Sequence, residues 1–208
     1  MKNTMPTPAI SRKIIIFKEA ARLFREKGYS GTTLRELAGK AGVKGGSVYH
    51  HFSSKQEILF TIMEHTMSTL ILRVQEAIAT ETRPIDKLRK AIQFHIAYHT
   101  ADSDETFVTD AELRSLDADN LSTIVALRDH YEMIFRQIME EGVARGEMQI
   151  GNVRLASKAL LQMCTGISSW YSPEGEKSIS DIADYYIELF FRGISRTNAA
   201  EVGGAIEL

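Results

Sequence analysis

The residues best suited to a chemical role are polar, basic and small side chains clustered between positions 33 and 55. The cluster consists of Thr33, Lys44, Gly45, Gly46, Ser47, Tyr49, His50 and Lys55. Lysine, tyrosine and histidine side chains hold phosphates, glycine lets a backbone approach closely, and serine hydrogen-bonds base edges in the major groove. The cluster therefore predicts contact with double-stranded DNA.

The residue types within this cluster predict different tasks. Ser47 is assigned to base edges and Lys44 to a guanine or a phosphate, whereas Tyr49, His50 and Lys55 are assigned to phosphates. The helix N-terminus at Thr33 is assigned to a further phosphate. For any one of these residues the alternative is an ordinary solvated side chain, so the prediction depends on the set as a whole.

The elements that must present these side chains are two short helices joined by a sharp turn. A capping box opens the first helix at Thr33, and leucine and alanine then recur at helical spacing on one face. Gly42 follows the last of these, where a residue with positive φ can end a helix without steric cost. The second helix covers roughly residues 45–52 and turns Val48 and Phe52 inward at i and i+4. This pattern predicts a helix-turn-helix with an exposed recognition helix.

At these residues the sequence resembles the TetR family of transcriptional regulators. The resemblance spans Ile14 to Leu59 and is strongest in the run GVKGGSVYHHFSSKQEIL that begins at Gly42. Lys44 departs from the family pattern, which usually has a capping residue there, and Gly45 stands where a lysine is frequent. The resemblance implies an N-terminal DNA-binding domain with contacts at the matched positions, a larger body with an effector cavity, and a homodimer.

The predicted fold class is all-α, with a three-helix head, a larger helical body and about nine helices in total. Prolines number four, and strand-like alternation is absent from the sequence. The expected domains are a disordered tail at 1–10, a helix-turn-helix domain at 11–53, a ligand-binding and dimerisation domain at 54–197, and a second tail at 198–208.

The charge distribution supports a nucleic-acid partner although the net charge is −2. Residues 1–60 carry eleven Lys or Arg against four Glu, a balance of +7, and the remainder carries fourteen basic against twenty-three acidic residues, a balance of −9. A basic end on an acidic chain attracts phosphates at that end only, which makes binding orientated and salt-dependent.

The expected location is the cytoplasm, with no membrane partner. The single cysteine, Cys164, cannot form an internal disulfide, and the apolar runs are too short for a membrane span or a secretory segment. Both features are typical of a soluble protein in a reducing compartment.

The last two predicted helices are apolar on more than one face, which predicts burial on more than one face. One face can meet the chain's own core, and the other is assigned to a second subunit in a four-helix interface. The residues assigned to this dimer interface are Leu161, Trp170, Ile182, Tyr186, Leu189 and Phe190. A fully buried hairpin in a monomer is the alternative.

The predicted effector site lies in the body and is mostly apolar. Its wall and polar anchors are assigned to Phe94, Tyr98, Phe107, Glu112, Arg114, Arg128, Tyr131, Phe135, Met163 and Trp170. The segments Glu112–Leu116, Ile124–Asp129 and Trp170–Gly175 resemble the branch of the family that represses lipid or sterol catabolism. That resemblance implies acyl-coenzyme A (acyl-CoA) thioesters as effectors. Apolar core packing is the alternative for each wall residue.

Enzymatic and metal chemistry have little support in the sequence. The chain has no phosphate-binding glycine loop after a strand and no Gly-x-Ser-x-Gly element, and Cys164 stands inside an apolar helix. His95 and His99 have the i, i+4 spacing of metal ligands, with His130 as a possible third, but no Cys or carboxylate clusters beside them. We therefore predict no enzyme, no metal and no cofactor.

The function predicted from these features is a ligand-responsive repressor that binds a palindromic operator as a homodimer. A small hydrophobic effector, with acyl-CoA as one candidate, is expected to release it. The alternative is a metal- or ligand-sensing protein whose head makes protein rather than DNA contacts.

Overall fold

A computed structural model describes residues 11–101 and 103–194, and within these ranges the chain is all-α without a strand. The predicted tails at 1–10 and 198–208 lie outside these residues. Nine α-helices are present: α1 (Arg12–Gly31), α2 (Leu34–Lys40), α3 (Gly45–His51), α4 (Lys55–Ile78), α5 (Pro84–Ala101), α6 (Ser103–Ala111), α7 (Ala118–Ala144), α8 (Val153–Thr165) and α9 (Ile179–Ile194). Two 3₁₀ turns, Leu113–Ser115 and Gly166–Ser169, complete the described elements. The predicted fold class is confirmed.

Helix α1 contains a break that determines how the next helix begins. Its regular part buries Ile16, Ala20 and Leu23 on one side, as the helical spacing predicts. At Gly28 the backbone takes φ 75° and ψ 161°, and a further turn then carries the element to Gly31. The helix is therefore interrupted after Lys27, and the chain forms one more turn before α2 begins.

The chain forms two packing units. The described residues of unit 1 are 11–69 and 103–127, and those of unit 2 are 70–101 and 128–194. The core of unit 1 joins α1, α2 and α3 to the first half of α4, and it also includes Val108 and Ile124. The helix-turn-helix therefore shares its core with α6 and the start of α7. The functional boundary predicted between residues 53 and 54 stays a prediction.

The core of unit 2 is built on α5, which packs against α8, α9 and the second 3₁₀ turn. Leu88, Ile92 and Ile96 of α5 are fully buried, as is Ile167 of the second 3₁₀ turn. Within the described ranges, no helix combines the length and apolar character needed to cross a membrane. These packed helices position the aromatic and polar residues of the second half of the chain.

Candidate nucleic-acid interface

The start of α2 is capped largely as the sequence predicts. The Thr33 hydroxyl accepts a hydrogen bond from the Glu36 N–H at 3.2 Å. The Glu36 carboxylate pairs with the Lys27 ammonium, an arrangement that the predicted capping box did not include. The open end of α2 therefore carries one side-chain cap and a nearby cation.

The turn between α2 and α3 depends on Gly42. This residue has φ 65°, a conformation that side chains with a Cβ rarely adopt. The Gly42 N–H donates to the Gly39 carbonyl at 3.3 Å, and the Val43 N–H donates to the Ala38 carbonyl at 3.0 Å. These two bonds form a Schellman cap, which satisfies the last carbonyls of α2 and directs the chain into α3.

Helix α3 is anchored by two side chains and exposes the rest. Val48 is fully buried and Phe52 is 1% exposed, whereas Tyr49 is 61% exposed. Of the residues predicted to face outward here, Ser47 is half-buried and the others are exposed. The exposed residues are Lys44, Gly45, Gly46, Tyr49 and His50. Because only the inner side is used for packing, one edge of α3 is open to a partner.

The two glycines of α3 have no structural use in the isolated chain. A Cβ built on Gly45 or Gly46 would meet nothing within 4 Å, and neither glycine has positive φ. Both glycines lie in the first turn of α3. Because no internal contact requires either glycine, this edge of the helix stays open to a partner.

Lys44 leaves the start of α3 without a side-chain cap, as its departure from the family pattern implies. Its backbone is extended, at φ −70° and ψ 147°, and its side chain forms no capping hydrogen bond. The Ser47 N–H instead donates to the Lys44 carbonyl at 2.8 Å. The exposed Lys44 ammonium therefore stands beside a weakly capped helix start, where both attract anions.

Lys55 is half-buried and contacts the end of α1. Its ammonium donates to the carbonyls of Tyr29 at 2.8 Å and Thr32 at 2.9 Å, and it lies 4.2 Å from the centre of the Tyr29 ring. These contacts close the end of α1. The assignment of Lys55 to a DNA phosphate stays a prediction, and the structure gives this side chain a second role.

The start of α4 is capped by the serine pair before it. The Ser54 hydroxyl accepts from the Glu57 N–H at 3.0 Å. The Glu57 carboxylate accepts from both the N–H and the hydroxyl of Ser53 at 2.6 Å. These hydrogen bonds from Ser53 lower the pKa of Glu57. In a regular capping box the carboxylate binds the N–H of the capping serine itself, so the reciprocal contact here is shifted by one residue.

The residues assigned to the effector site fall into both units. Phe107, Glu112 and Arg114 belong to unit 1, where the Arg25 guanidinium lies 5.0 Å from the centre of the Phe107 ring and Arg114 is exposed. The seven in unit 2 are Phe94, Tyr98, Arg128, Tyr131, Phe135, Met163 and Trp170. Their assignment to a ligand stays a prediction.

Unit 2 brings several of its aromatic residues together around a buried histidine. The Nδ1 atom of His95 lies 2.9 Å from the Tyr131 hydroxyl, and its Nε2 atom lies 3.1 Å from the Thr165 hydroxyl. The Phe135 ring packs edge-on against Tyr131. The i, i+4 spacing of His95 and His99 also fits metal ligation, and nothing in the sequence indicates Thr165 as a partner. The two residues that hydrogen-bond His95 come from other helices.

Burial keeps this cluster neutral. Removal from water lowers the pKa of His95 well below its usual value of 6.5, and the neighbouring His99 contributes in the same direction. Burial, with Arg128 nearby, lowers the pKa of His99 to about 4. Burial likewise raises the pKa of Tyr131 and brings that of Cys164 to about 12, so the thiol is unreactive.

The described residues contain no group of three or more metal-ligating side chains. His130, considered from the sequence as a partner for His95 and His99, is exposed on α7. The imidazoles of His95 and His99 lie with their ring centres 4.2 Å apart, and both nitrogens of His95 face hydroxyl groups. The arrangement of His95 is that of a hydrogen-bonded core residue.

The residues assigned to the dimer interface differ in exposure. Leu189 is 52% exposed and Trp170 is 54% exposed, whereas Ile182 is 8% exposed and packs inside its own chain. Leu161, Tyr186 and Phe190 are half-buried. Tyr185 and Leu155, which were not assigned, are 63% and 64% exposed. Exposed apolar side chains therefore occur on α8, on α9 and in the segment between them, and their pairing with a second subunit stays a prediction.

A short recognition helix exposed by a helix-turn-helix in an all-helical chain defines a DNA-binding regulator. Known families agree with this class. The family described as "Bacterial regulatory proteins, tetR family" matches residues 16–62, and "Tetracyclin repressor-like, C-terminal domain" matches residues 81–194. The chain belongs to the TetR family, so it is a transcriptional regulator and not an enzyme.

Relatives similar over nearly the whole chain are also regulators. The chain is 25% identical to the transcriptional repressor KstR2 of Mycolicibacterium smegmatis, over 92% of this chain and 95% of that protein. It is 26% identical to the fatty acid metabolism regulator protein of Bacillus subtilis, over 86% and 93%. The solved structure of AibR with isovaleryl coenzyme A and operator DNA has the same fold, with a TM-score of 0.81, 24% identity, and coverage of 86% and 97%.

Proposed function

We propose that the chain is a cytoplasmic repressor that binds a palindromic operator as a homodimer and is released by a small hydrophobic effector of the acyl-CoA class. The observation that carries the DNA-binding part is the open edge of α3. There Gly45 and Gly46 serve no internal packing, and Lys44, Tyr49 and His50 are exposed beside them. Ser47 reads base edges, and the exposed cation and aromatic side chains hold phosphates.

The proposed dimer is supported by the exposed apolar side chains of α8, α9 and the segment between them. Trp170, Tyr185 and Leu189 are each more than half exposed. Large exposed apolar patches commonly mark interaction sites, and two helices from each of two subunits form a four-helix interface. A twofold dimer places its recognition helices one DNA turn apart, about 34–36 Å, and therefore requires an inverted repeat in the operator.

The proposed effector class is supported by the relatives and by the side chains of unit 2. One relative regulates fatty acid metabolism, and AibR, which shares the fold, holds isovaleryl coenzyme A. Phe94, Tyr98 and Met163 are half-buried and suit an acyl chain, and Arg128 offers a cation for the phosphates of coenzyme A. Effector binding would favour a state with low operator affinity, which gives release by population shift.

The experiment that tests this function measures operator affinity in the presence of matched ligands. The operator is first recovered by selection from a randomised duplex library, and then titrated with a series of acyl-CoA thioesters of increasing chain length. We expect at least one thioester to weaken operator binding by about tenfold or more, a coupling of about 1.4 kcal/mol. Free coenzyme A and the free fatty acids are the controls and should have little effect, because each supplies only part of the contacts.

An operator affinity that stays constant across the whole thioester series would contradict the proposed effector class. Equal release by free fatty acids would instead assign the site to the acyl chain alone. Failure to recover any enriched DNA would contradict the DNA-reading role of α3.

A further inference from the structure

The end of α1 carries a backbone contact that the DNA-reading role does not explain. The break at Gly28 turns the Tyr29 N–H out of the helical ladder, and the Glu112 Oε1 atom accepts it at 2.9 Å. Glu112 follows α6 in unit 1 and is separated from Tyr29 by 83 positions in sequence. A long-range carboxylate therefore holds the backbone where α1 gives way to α2.

The second oxygen of Glu112 holds its own turn in shape. Its Oε2 atom accepts from the Ser115 hydroxyl at 2.6 Å. The Gln56 side chain then reaches the same turn, since its Nε2 donates to the Ser115 carbonyl at 2.5 Å and its Oε1 accepts from the Asp117 N–H at 3.3 Å. The turn over residues 112–117 is thus tied both to the end of α1 and to the start of α4.

Tyr29 is held from its other side as well. Its carbonyl accepts from the Lys55 ammonium, which also binds the carbonyl of Thr32. A carboxylate on the N–H and an ammonium on the carbonyl fix both peptide groups of one residue. Because hydrogen bonds to charged groups are the stronger ones, this arrangement restricts the backbone more than neutral contacts would.

Helices α1 and α6 meet at a further point along their length. The Arg25 guanidinium lies 3.4 Å from the Asp104 carboxylate and packs over the ring of Phe107. Val108, on the same helix, is fully buried in the core shared with α1. The position of Glu112 relative to Tyr29 is therefore set by packing as well as by the hydrogen bond.

We propose that Glu112 is a positioning residue for DNA binding, acting through Tyr29 on the start of α2 and so on α3. Only three residues separate Tyr29 from the cap at Thr33, so the backbone at Tyr29 sets where α2 begins. With the contact in place, the recognition helix is held ready for DNA, and less conformational freedom is lost on binding. The assignment of Glu112 to the effector site stays a separate prediction, and the positioning role rests on the proposed operator binding.

The test compares the removal of two carboxylates in unit 1. Glu112→Ala removes the positioning contact, and Asp119→Ala removes an exposed carboxylate in the first turn of α7. Electrostatics alone predicts the same sign for both, because each loss of negative charge favours approach to phosphates. We expect Glu112→Ala to weaken operator binding by about tenfold, the ratio for one hydrogen bond to a charged group. Asp119→Ala should bind as the unaltered chain does or slightly tighter.

Two further measurements separate positioning from general loss of stability. Glu112→Gln keeps one acceptor for the Tyr29 N–H and should recover most of the operator affinity. Amide hydrogen exchange at Tyr29, measured without DNA, should rise about tenfold in Glu112→Ala while the core of α1 near Leu23 stays protected. The base preference in a randomised-site selection should not change, since Glu112 touches no base.

Gln56→Ala provides a second variant if Glu112→Ala does not fold, and it should weaken operator binding in the same direction by a smaller factor. The proposal is overturned if Glu112→Ala binds the operator as tightly as Asp119→Ala, or if Tyr29 exchange is unchanged. If the unaltered chain bound no operator, the proposed function would fail, and Tyr29 exchange would still decide whether the contact holds the backbone.

Discussion

The two units hold their helices with polar networks of opposite kinds. In unit 1 the network is charged and partly exposed, and it acts on backbone groups: Glu112 and Lys55 hold Tyr29. In unit 2 it is neutral and buried, and it acts between side chains, with Tyr131 and Thr165 satisfying His95. The difference shows that charge is used where water still reaches the groups, and hydroxyl–imidazole pairs are used where it does not.

The physical reason is the cost of burying an ion. A charged group taken out of water must recover its solvation from partners, and a buried histidine avoids that cost by staying neutral. Its two nitrogens still require partners, which the hydroxyls of Tyr131 and Thr165 provide. The unit 2 network therefore requires His95 to stay neutral. Loss of either hydroxyl partner should destabilise the fold, because water cannot take its place in the buried site.

The largest expected difference between the networks is their response to acid. His95 and His99 have pKa values below 6.5 in the folded chain, that of His99 being about 4. Below pH 6.5 the unfolded chain binds protons that the folded chain excludes, so the free energy of unfolding falls as the pH drops towards about 4. The slope is about 1.4 kcal/mol per pH unit for each histidine. Denaturant unfolding at a series of pH values measures it.

His99→Gln is the matched variant for this acid response. It should lose the part of the slope that belongs to His99 and keep that of His95. The groups of unit 2 that affect this titration are Arg128, which disfavours the imidazolium of His99, and the paired His95. A pH profile between 6.5 and 4 that is the same with and without His99 would contradict the assigned pKa.

A smaller effect is expected from removing one hydroxyl of the unit 2 network. Tyr131→Phe leaves the Nδ1 atom of His95 buried without its partner, and should reduce the free energy of unfolding by about 1–3 kcal/mol. Tyr49→Phe makes the same chemical change at a side chain that is 61% exposed, and without DNA it should have almost no effect on the free energy of unfolding. Equal stability of the two variants would mean that the Tyr131–His95 contact contributes nothing.

The smallest stability effect is expected in unit 1, from the cation that closes α1. Lys55→Met removes the bonds to Tyr29 and Thr32 and should lower the free energy of unfolding by about 1 kcal/mol, since water can replace part of what is lost.

Lys44→Met, at an exposed side chain, should leave thermal stability unchanged and weaken operator binding. The slope of log affinity against log salt concentration should fall in magnitude by about one. If both variants had the same stability and the same operator affinity, the assignment of Lys55 to the end of α1 and of Lys44 to DNA would be wrong.

Local rules were sufficient for the parts of the chain whose partners are close in sequence. The cap at Thr33, the turn at Gly42 and the inward pair Val48 and Phe52 all follow from spacing within a few residues, and the structure has each of them. The exposed edge of α3 follows directly, because the inward pair fixes the rotation of the helix.

The contacts that the sequence did not indicate join residues distant in the chain. The sequence assigns Glu112 to an effector, but its contact with Tyr29 depends on how α6 packs against α1. The i, i+4 spacing of His95 fits a metal ligand, but its partners Tyr131 and Thr165 come from other helices. A polar residue at a helical position shows what it could bind, but tertiary packing decides which neighbour it meets.

The measurement that tests the central claim most directly is selection of binding sites from a randomised DNA library, carried out with the unaltered chain and with Ser47→Ala. The account predicts that the unaltered chain enriches an inverted repeat whose half-sites lie about one helical turn apart, 34–36 Å. Ser47→Ala should keep the spacing and lose preference at one position in each half-site. Enrichment of a single unrepeated site, or an unchanged preference in Ser47→Ala, would contradict dimeric reading of DNA through α3.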